Sequence, residues 1–167
     1  GITVETFLSP DLTANGKHRK ILAEYTSTGY YVRKYLPEEV KTKTTTQAYH
    51  NWIYFRLAEM YLNYAEAMNE VSGPTTEVYD ALNTVRSRSG VVDMPAGLNK
   101  DQMRARIMNE RAIELSFEEH RWWDARRWKK GAEWFGGEFY EMYIVKDALG
   151  NLTYTKKPFE TRVYRDY

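Results

Sequence analysis

A repeating pattern of hydrophobic residues begins after Asn51. Apolar side chains recur there every three or four positions, the spacing that places them on one face of an α-helix. They are Ile53, Leu57, Met60, Tyr61, Tyr64, Ala65 and Met68. Because Gly73 and Pro74 interrupt helices, the pattern predicts a first helix that buries these side chains and ends at Ser72–Pro74.

A second helix is predicted directly after this break. Thr75 or Thr76 has the short polar side chain that is preferred at a helix N-cap. Gly90 stands where a residue with a left-handed backbone commonly ends a helix. The predicted buried face consists of Val78, Leu82 and Val85. Because the connection is short, the first two helices should form an αα-hairpin.

A third helix is predicted from a capping pattern. Asn99 is suited to the N-cap, and Gln102 stands three residues later, where its side chain completes a capping box. The helical pattern extends to about His120 and continues or bends through residues 121–130, with Gly131 as the stop.

The two ends of the chain differ from this helical region, residues 51–131. Turn-forming residues dominate residues 1–50, which predicts irregular structure with a short extended piece at 29–36. In residues 132–167, strand-like alternation around Gly150 and Asn151 predicts a loop and a small β-hairpin. We therefore expect a single, mainly α-helical domain over residues 1–167, with long irregular loops.

Composition narrows the functional classes. Hydrophobic residues make up 43% of the 167 residues and aromatic residues 15%, as in a folded globular chain. The 24 Lys and Arg residues balance the 23 Asp and Glu residues, which argues against a general polyanion or membrane-surface binder. Cysteine is absent, which excludes disulfides, thiolate metal sites and cysteine nucleophiles.

The chain also lacks membrane-spanning signals. No apolar run approaches the ~20 residues that span a bilayer, so we expect the chain itself to be soluble. It begins with Gly1 instead of Met and ends in the strand-like run RVYRDY. These two observations suggest a piece of a longer protein.

The segment ERAIELSFEEHRWWDARRW, residues 110–128, concentrates charged residues and tryptophans. On one continuous helix, its charges would occupy an arc of roughly 80° bracketed by apolar residues. Those apolar residues are Met108, Leu115 and Trp122 on one side and Ile113, Phe117 and Trp128 on the other. Opposite charges in such a position should be partly buried and paired. The predicted structural ion-pair network consists of Arg111, Glu114, Glu118, Arg121, Asp124 and Arg127.

Three other functions compete for this segment. Glu114 and Glu118 could be the acid/base pair of a glycoside hydrolase, but adjacent arginines favour their ionised forms. Glu119, His120 and Asp124 could bind a metal, but no second His or Cys stands at ligand spacing. Basic residues interleaved with tryptophans could grip single-stranded nucleic acid, although the whole chain is nearly neutral. Those residues are Arg121, Arg126, Arg127, Lys129, Lys130, Trp122, Trp123 and Trp128.

Further catalytic motifs are absent from the sequence. It contains no Walker loop, dinucleotide fingerprint, HExxH or GxSxG pattern. Several aromatic residues could supply flat platforms for sugar rings, although most such residues simply pack in or near a core. The candidates are Tyr30, Tyr31, Trp52, Trp134, Tyr140 and Tyr143.

Three motifs together resemble the C-terminal part of the SusD/RagB family, the cell-surface glycan-binding lipoproteins of Bacteroides-type bacteria. They are RLAEMYLNYAEAMNE (56–70), ALNTVRSRSGV (81–91) and NERAIELSFEEHRWWDARRW (109–128), in the order that the family shows. GYYVRKYL before them and RVYRDY at the end also fit, so the resemblance covers residues 29–167. The family's signal peptide, lipidated Cys and N-terminal helical repeats have no counterpart here.

The resemblance implies a fold with tetratricopeptide-like helix pairs and an activity of binding without catalysis. It implies that a lipid-anchored parent protein captures an oligosaccharide or other nutrient at the outer membrane and passes it to a TonB-dependent receptor. No cofactor, metal or nucleic acid is implied. The six network residues match characteristic positions of the family, whose glycan contacts lie largely outside these motifs, so the ligand-binding residues stay unknown.

The alternative is a tetratricopeptide-type scaffold that binds a protein partner in a helical groove. One αα-hairpin without a 34-residue internal repeat makes this alternative weaker.

Overall fold

The computed structural model describes residues 30, 32, 34, 35 and 51–165. The elements are α1 (Leu57–Ser72), α2 (Thr76–Arg88), α3 (Lys100–Glu114), α4 (His120–Arg127), α5 (Gly131–Phe135), β1 (Gly137–Lys146) and β2 (Leu152–Arg162). This confirms the predicted fold class, a mainly helical chain with one small antiparallel sheet. Apart from four residues, the predicted irregular region 1–50, with its extended piece at 29–36, lies outside the described residues.

The described residues fall into two compact units. Residues 51–128, with α1 to α4, belong to one unit, and residues 129–165, with α5 and the two strands, belong to the other. The single domain expected for residues 1–167 stays a prediction. None of the helices in the described ranges combines the length and the apolar character needed to cross a membrane.

Helices α1, α2 and α3 pack around the core of the first unit, with α1 in contact with both of the others. The core side chains from these helices are Leu62, Ala65, Val78, Ala81, Leu82, Val85, Met103 and Ile107. The predicted buried face of α2 is therefore confirmed. Each of its three apolar residues is at most a few per cent exposed, which places them where hydrophobic burial stabilises the fold most.

The predicted buried face of α1 is wrong in part. Residues 51–56 precede the helix, which begins at Leu57. Leu57, Met60 and Tyr64 are 69%, 43% and 46% exposed, whereas Leu62, outside the predicted set, is fully buried. Apolar residues surround much of this helix, so their period alone does not identify the side that faces α2 and α3.

The ends of α2 and α3 follow their local sequence. At Gly90, with φ of 67°, the backbone turns left-handed, and the N–H of Val91 donates to the carbonyl of Arg86 over 3.1 Å. This is the hydrogen bond that closes a helix C-terminus around a glycine. At the start of α3, Asn99 and Gln102 exchange two hydrogen bonds of 2.9 Å, which confirms the predicted capping box.

The predicted β-hairpin is confirmed as β1 and β2, which pair antiparallel with Ile144 opposite Tyr154. The register shifts once, between Phe139 and Tyr140. Asp147 closes the turn: its carboxylate accepts from the backbone N–H of Leu149 at 2.9 Å and from that of Asn151 at 2.8 Å.

Acidification should loosen this turn. The side-chain hydrogen bond from Asn151, followed by backbone N–H groups, lowers the pKa of Asp147 below its ordinary value of 3.8. A lowered folded-state pKa means that this stabilisation is present above about pH 4 and is lost as the pH falls through the folded value. NMR titration of Asp147 and amide exchange at Leu149 and Asn151 will measure it. A titration midpoint at or above 3.8, or an identical acid response in Asp147→Asn, would contradict this prediction.

Candidate functional site

The charged segment does not form one helix. Helix α3 ends at Glu114, a turn occupies residues 115–119, and α4 begins at His120, so the predicted extension of the third helix to His120 is wrong. Phe117 and Glu119 have φ of 62° and 66°. Because left-handed residues cannot continue a right-handed helix, the charges lie on two helices and the turn between them instead of on one helical face.

The predicted apolar brackets are also wrong in part on each side, since Trp122 is 42% exposed on the first of them. Ile113 and Phe117 are each 63% exposed, while Leu115 belongs to the buried core. The change of direction after Glu114 explains the exposure of Phe117, because a projection onto one straight helix assigns wrong faces beyond a bend. Ile113 lies before the bend, on the exposed side of α3.

Polar residues on or next to α1 cover the charged segment instead. They occur at Arg56, Glu59, Asn63 and Glu66, spaced three, four and three positions apart, and therefore lie along one side of the helix. We call this set the polar stripe. Each member contacts a polar side chain from residues 111–128.

Arg56, just before α1, binds two carboxylates. Its Nη1 donates to Oε1 of Glu114 over 2.5 Å, and its Nε and Nη2 donate to the two carboxylate oxygens of Glu118 over 2.8 Å each. The exposed Arg88 donates to Glu114 as well. The hydrogen bond to Glu118 is the largest cause that raises the pKa of Arg56, against the opposing effect of burial. Arg56 thereby ties the turn at 115–119 to α1.

Among the residues that the structure describes, Arg111 and Asp124 form the most deeply buried ion pair, with both residues 4% exposed. Nε and Nη2 of Arg111 donate to the two carboxylate oxygens of Asp124 over 3.0 and 3.2 Å, the bidentate pairing that is among the strongest for Arg. Nη1 of Arg111 also donates to Asn63 over 2.5 Å. Asp124 accepts a further hydrogen bond of 2.8 Å from Arg127, so one carboxylate joins α3 and α4.

Glu66 extends this cluster onto α1. Its carboxylate accepts from Nη2 of Arg127 over 2.6 Å and from the indole N–H of Trp128 over 2.9 Å. Burial disfavours the charge of Arg127, but its hydrogen bonds to Glu66 and Asp124 outweigh burial and raise its pKa. The guanidinium carbon of Arg127 lies 4.0 Å from the Trp128 ring centroid.

The structure thus brings five of the six network residues into two groups, each completed by partners that sequence reasoning did not name. Glu114 and Glu118 meet Arg56, whereas Arg111 and Arg127, which both bind Asp124, meet Glu66. Arg121, the sixth, is half-buried and also has an interaction partner. The polar stripe could have indicated these partners, since its three- and four-residue spacing is that of side chains on one face of a helix.

The residues considered for metal binding contact different partners. Nε2 of His120 is 3.7 Å from the carboxylate of Glu59, while Asp124 is bound by two arginines. Within the described ranges, no group of three or more His, Asp or Glu side chains is arranged to hold a metal ion.

The aromatic residues considered for ligand stacking differ in their exposure and in their contacts. Tyr31 lies outside the described residues, and Tyr30 and Trp52 are exposed. In the hairpin, the ammonium of Lys156 lies 3.8 Å from the ring centroid of Tyr140, and that of Lys157 lies 3.3 Å from that of Tyr143. Trp134 is half-buried. Trp128, considered for base stacking, instead packs against Arg127.

The left-handed turn yields a stability prediction. Glu119→Gly should raise the free energy of unfolding by roughly 0.5–1 kcal/mol, because Gly adopts positive φ without the steric cost that Glu bears. Asn109→Gly, in the regular and exposed part of α3, is the control with the opposite sign and should lower it by roughly 0.3 kcal/mol. Urea unfolding will measure both; a loss of stability in Glu119→Gly would contradict the prediction.

Comparison with known proteins agrees with this architecture. Residues 11–165 match the profile of the SusD family. SusD-like proteins P2 and P38 of Formosa agariphila are 40% and 37% identical over 105 and 94 residues, which are 59% and 52% of this chain but 21% and 18% of theirs. A crystal structure of a SusD-like protein from Bacteroides fragilis superposes with a TM-score of 0.56 and 34% identity, covering 70% of this chain and 21% of that one.

The chain thus spans about a fifth of the length of these relatives. The match nevertheless extends over most of the chain, and it includes the helical unit and the hairpin. The chain belongs to the SusD family.

Proposed function

We propose that the protein binds an oligosaccharide or other nutrient at the bacterial cell surface and catalyses no reaction on it. Membership of the SusD family is the observation that carries this proposal. The chain spans about a fifth of its relatives, so the proposal concerns the longer protein that would contain it.

The geometry of the charged segment supports binding without catalysis. Glu114 and Glu118, the strongest candidates for acid/base chemistry, both accept hydrogen bonds from Arg56. These hydrogen bonds tie both carboxylates to a permanently charged guanidinium, which is a partner suited to a structural ion pair. We infer that the six network residues hold α1, α3 and α4 together.

Transfer of the bound ligand to a TonB-dependent outer-membrane receptor, and anchoring of the longer protein by a lipid, complete the proposal. The family's usual role supports both. Co-purification of the full-length protein with such a receptor from detergent-solubilised outer membranes tests the first, and mass spectrometry of its N-terminus tests the second.

Calorimetric titration of the full-length protein against a panel of oligosaccharides tests the proposed function. Binding of at least one glycan without release of shorter sugars is the expected outcome. Sugar release during the titration would contradict the absence of catalysis.

A protein-binding scaffold is the second candidate function. The exposed apolar side chains of Leu57, Met60 and Tyr64 on α1 favour it, because a row of this kind is suited to contact with another polypeptide. Absence of binding to every sugar, together with a stable complex with a protein ligand, would favour the scaffold.

A further inference from the structure

Strand β2 has one long edge that faces away from β1, which we call the open edge. Almost every residue of β2 is exposed, and among the described residues its only strand partner is β1. The backbone groups on the open edge make no hydrogen bond to another described residue. Because a row of unpaired backbone donors and acceptors is a template for a further strand, an edge of this length favours pairing between molecules unless something prevents it.

The register of the hairpin identifies the backbone groups on the open edge. The N–H of Asp147 donates to the carbonyl of Asn151 over 3.0 Å, so these two residues form a hydrogen-bonded pair. Hydrogen-bonded and non-hydrogen-bonded pairs alternate along an antiparallel ladder, and this ladder continues without a shift as far as Tyr140 and Pro158. At the non-hydrogen-bonded positions, the backbone nitrogen points away from the partner strand. On β2, these positions are Leu152, Tyr154, Lys156 and Pro158.

Pro158 interrupts this row of donors. Its backbone nitrogen carries no hydrogen, and its ring occupies space that an added strand would need. The register shifts directly after it, which leaves Phe159 without a partner on β1. A bulge of this kind bends a strand and increases its twist. A strand added along β2 would therefore lose a hydrogen bond and its straight path at the same place.

The side chains of β2 make protection of the open edge necessary. Threonine and tyrosine favour strands, and Tyr154 is 61% exposed. Charged side chains can also protect an edge, but the ammonium groups of Lys156 and Lys157 lie 3.8 and 3.3 Å from the centroids of tyrosine rings on β1. These cation–π contacts hold both charges over β1. The proline, and not the charge of the lysines, is therefore the feature placed on the open edge itself.

We propose that Pro158 prevents the open edge of β2 from pairing with another molecule, so that the sheet ends at β2. The partner that it excludes is a second copy of this chain, whose own β2 presents the same row of backbone groups. The blocking feature is the missing N–H. An amino acid that restores this donor at position 158 is expected to let the open edges of two copies pair antiparallel.

Four substitutions test this inference. Pro158→Thr and Pro158→Ala both restore the backbone N–H, the first with a side chain that favours strands and the second without one. Pro95→Thr makes the same change as Pro158→Thr in an exposed loop and is the matched control. Lys156→Thr removes a charge from β2 but keeps the proline. Circular dichroism of each variant verifies folding.

Amide hydrogen exchange of residues 1–167 at increasing protein concentration is the measurement. The amides of residues 154 and 156 report on the open edge, because both point away from β1. We expect exchange that is independent of concentration at both positions in the unaltered chain, in Pro95→Thr and in Lys156→Thr. In both variants of Pro158, exchange should slow about tenfold or more at high concentration, because these amides become hydrogen-bonded between copies. Association through another surface would leave them unprotected.

Unchanged exchange at residues 154 and 156 in both variants of Pro158 would overturn the inference, since the restored donor would then not open the edge. Slow exchange at these amides in the unaltered chain would also overturn it, because the edge would already be paired. Slowing in Lys156→Thr as large as in Pro158→Thr would assign the protection to charge. Slowing in Pro158→Thr alone, without Pro158→Ala, would assign it to the side chain instead of to the missing N–H.

Discussion

Asp124→Ala is expected to lower the free energy of unfolding by about 3–5 kcal/mol, the usual cost of leaving a buried charge without its partner. Asp124 accepts hydrogen bonds from Arg111 and Arg127, and Arg111 is 4% exposed. After the substitution, the guanidinium of Arg111 stays buried beside Asn63, with Glu66 as the nearest carboxylate at 3.9 Å. Urea unfolding followed by tryptophan fluorescence will measure the change.

Two controls separate this effect from simple truncation. Arg126→Ala, on the exposed side of α4, removes a charge outside the network together with its contact of 5.4 Å to the Trp122 ring, and should change stability by less than about 1 kcal/mol. The double variant Arg111→Met with Asp124→Leu replaces the pair with apolar groups and should recover most of the loss. A loss below 1 kcal/mol in Asp124→Ala, or a glycan affinity that falls while stability is unchanged, would contradict the structural role proposed for the network.

Arg56→Ala is expected to lower the free energy of unfolding by roughly 2–3 kcal/mol, because Glu114 and Glu118 both lose a charged donor. The side chain of Arg56 is 24% exposed, so solvent screens part of its charge and the loss should be smaller than for Asp124. Local opening of the turn should accompany it. Hydrogen exchange at the amide of Glu118, which donates to the carbonyl of Leu115 over 3.1 Å, will report this opening.

Arg88→Ala is the matched control for Arg56. Arg88 also binds Glu114, but its side chain is 61% exposed, so its removal should cost less than about 1 kcal/mol and leave the turn closed. Equal losses in the two variants would show that Arg56 has no special part in holding the turn.

Local sequence signals predicted the parts of the fold that depend on neighbouring residues. The capping box at Asn99, the glycine stop at Gly90 and the hairpin turn after Lys146 each form within a few positions of the chain. Their hydrogen bonds are satisfied locally, so the pattern of residue types is sufficient to identify them.

The parts that were missed depend on distant residues or on unusual backbone geometry. Glu118 finds its partner Arg56 at a separation of 62 residues, and the separation between Arg127 and Glu66 is 61. Phe117 and Glu119 adopt positive φ although neither is Gly or Asn, so their residue types do not indicate where α3 ends. No local pattern on this chain predicts which residues bind a ligand.

The order of charges on the polar stripe has a consequence for assembly. Advancing α1 by one turn, about 5.4 Å, would place Glu59 opposite Glu114 and Glu118, where Arg56 now stands. Three carboxylates would then meet with Arg56 displaced and the exposed Arg88 still bound to Glu114, and like charges at close range repel. Apolar side chains would tolerate such a shift. The order of acidic and basic groups on the polar stripe favours the observed alignment of the helices and disfavours the alignment shifted by one turn.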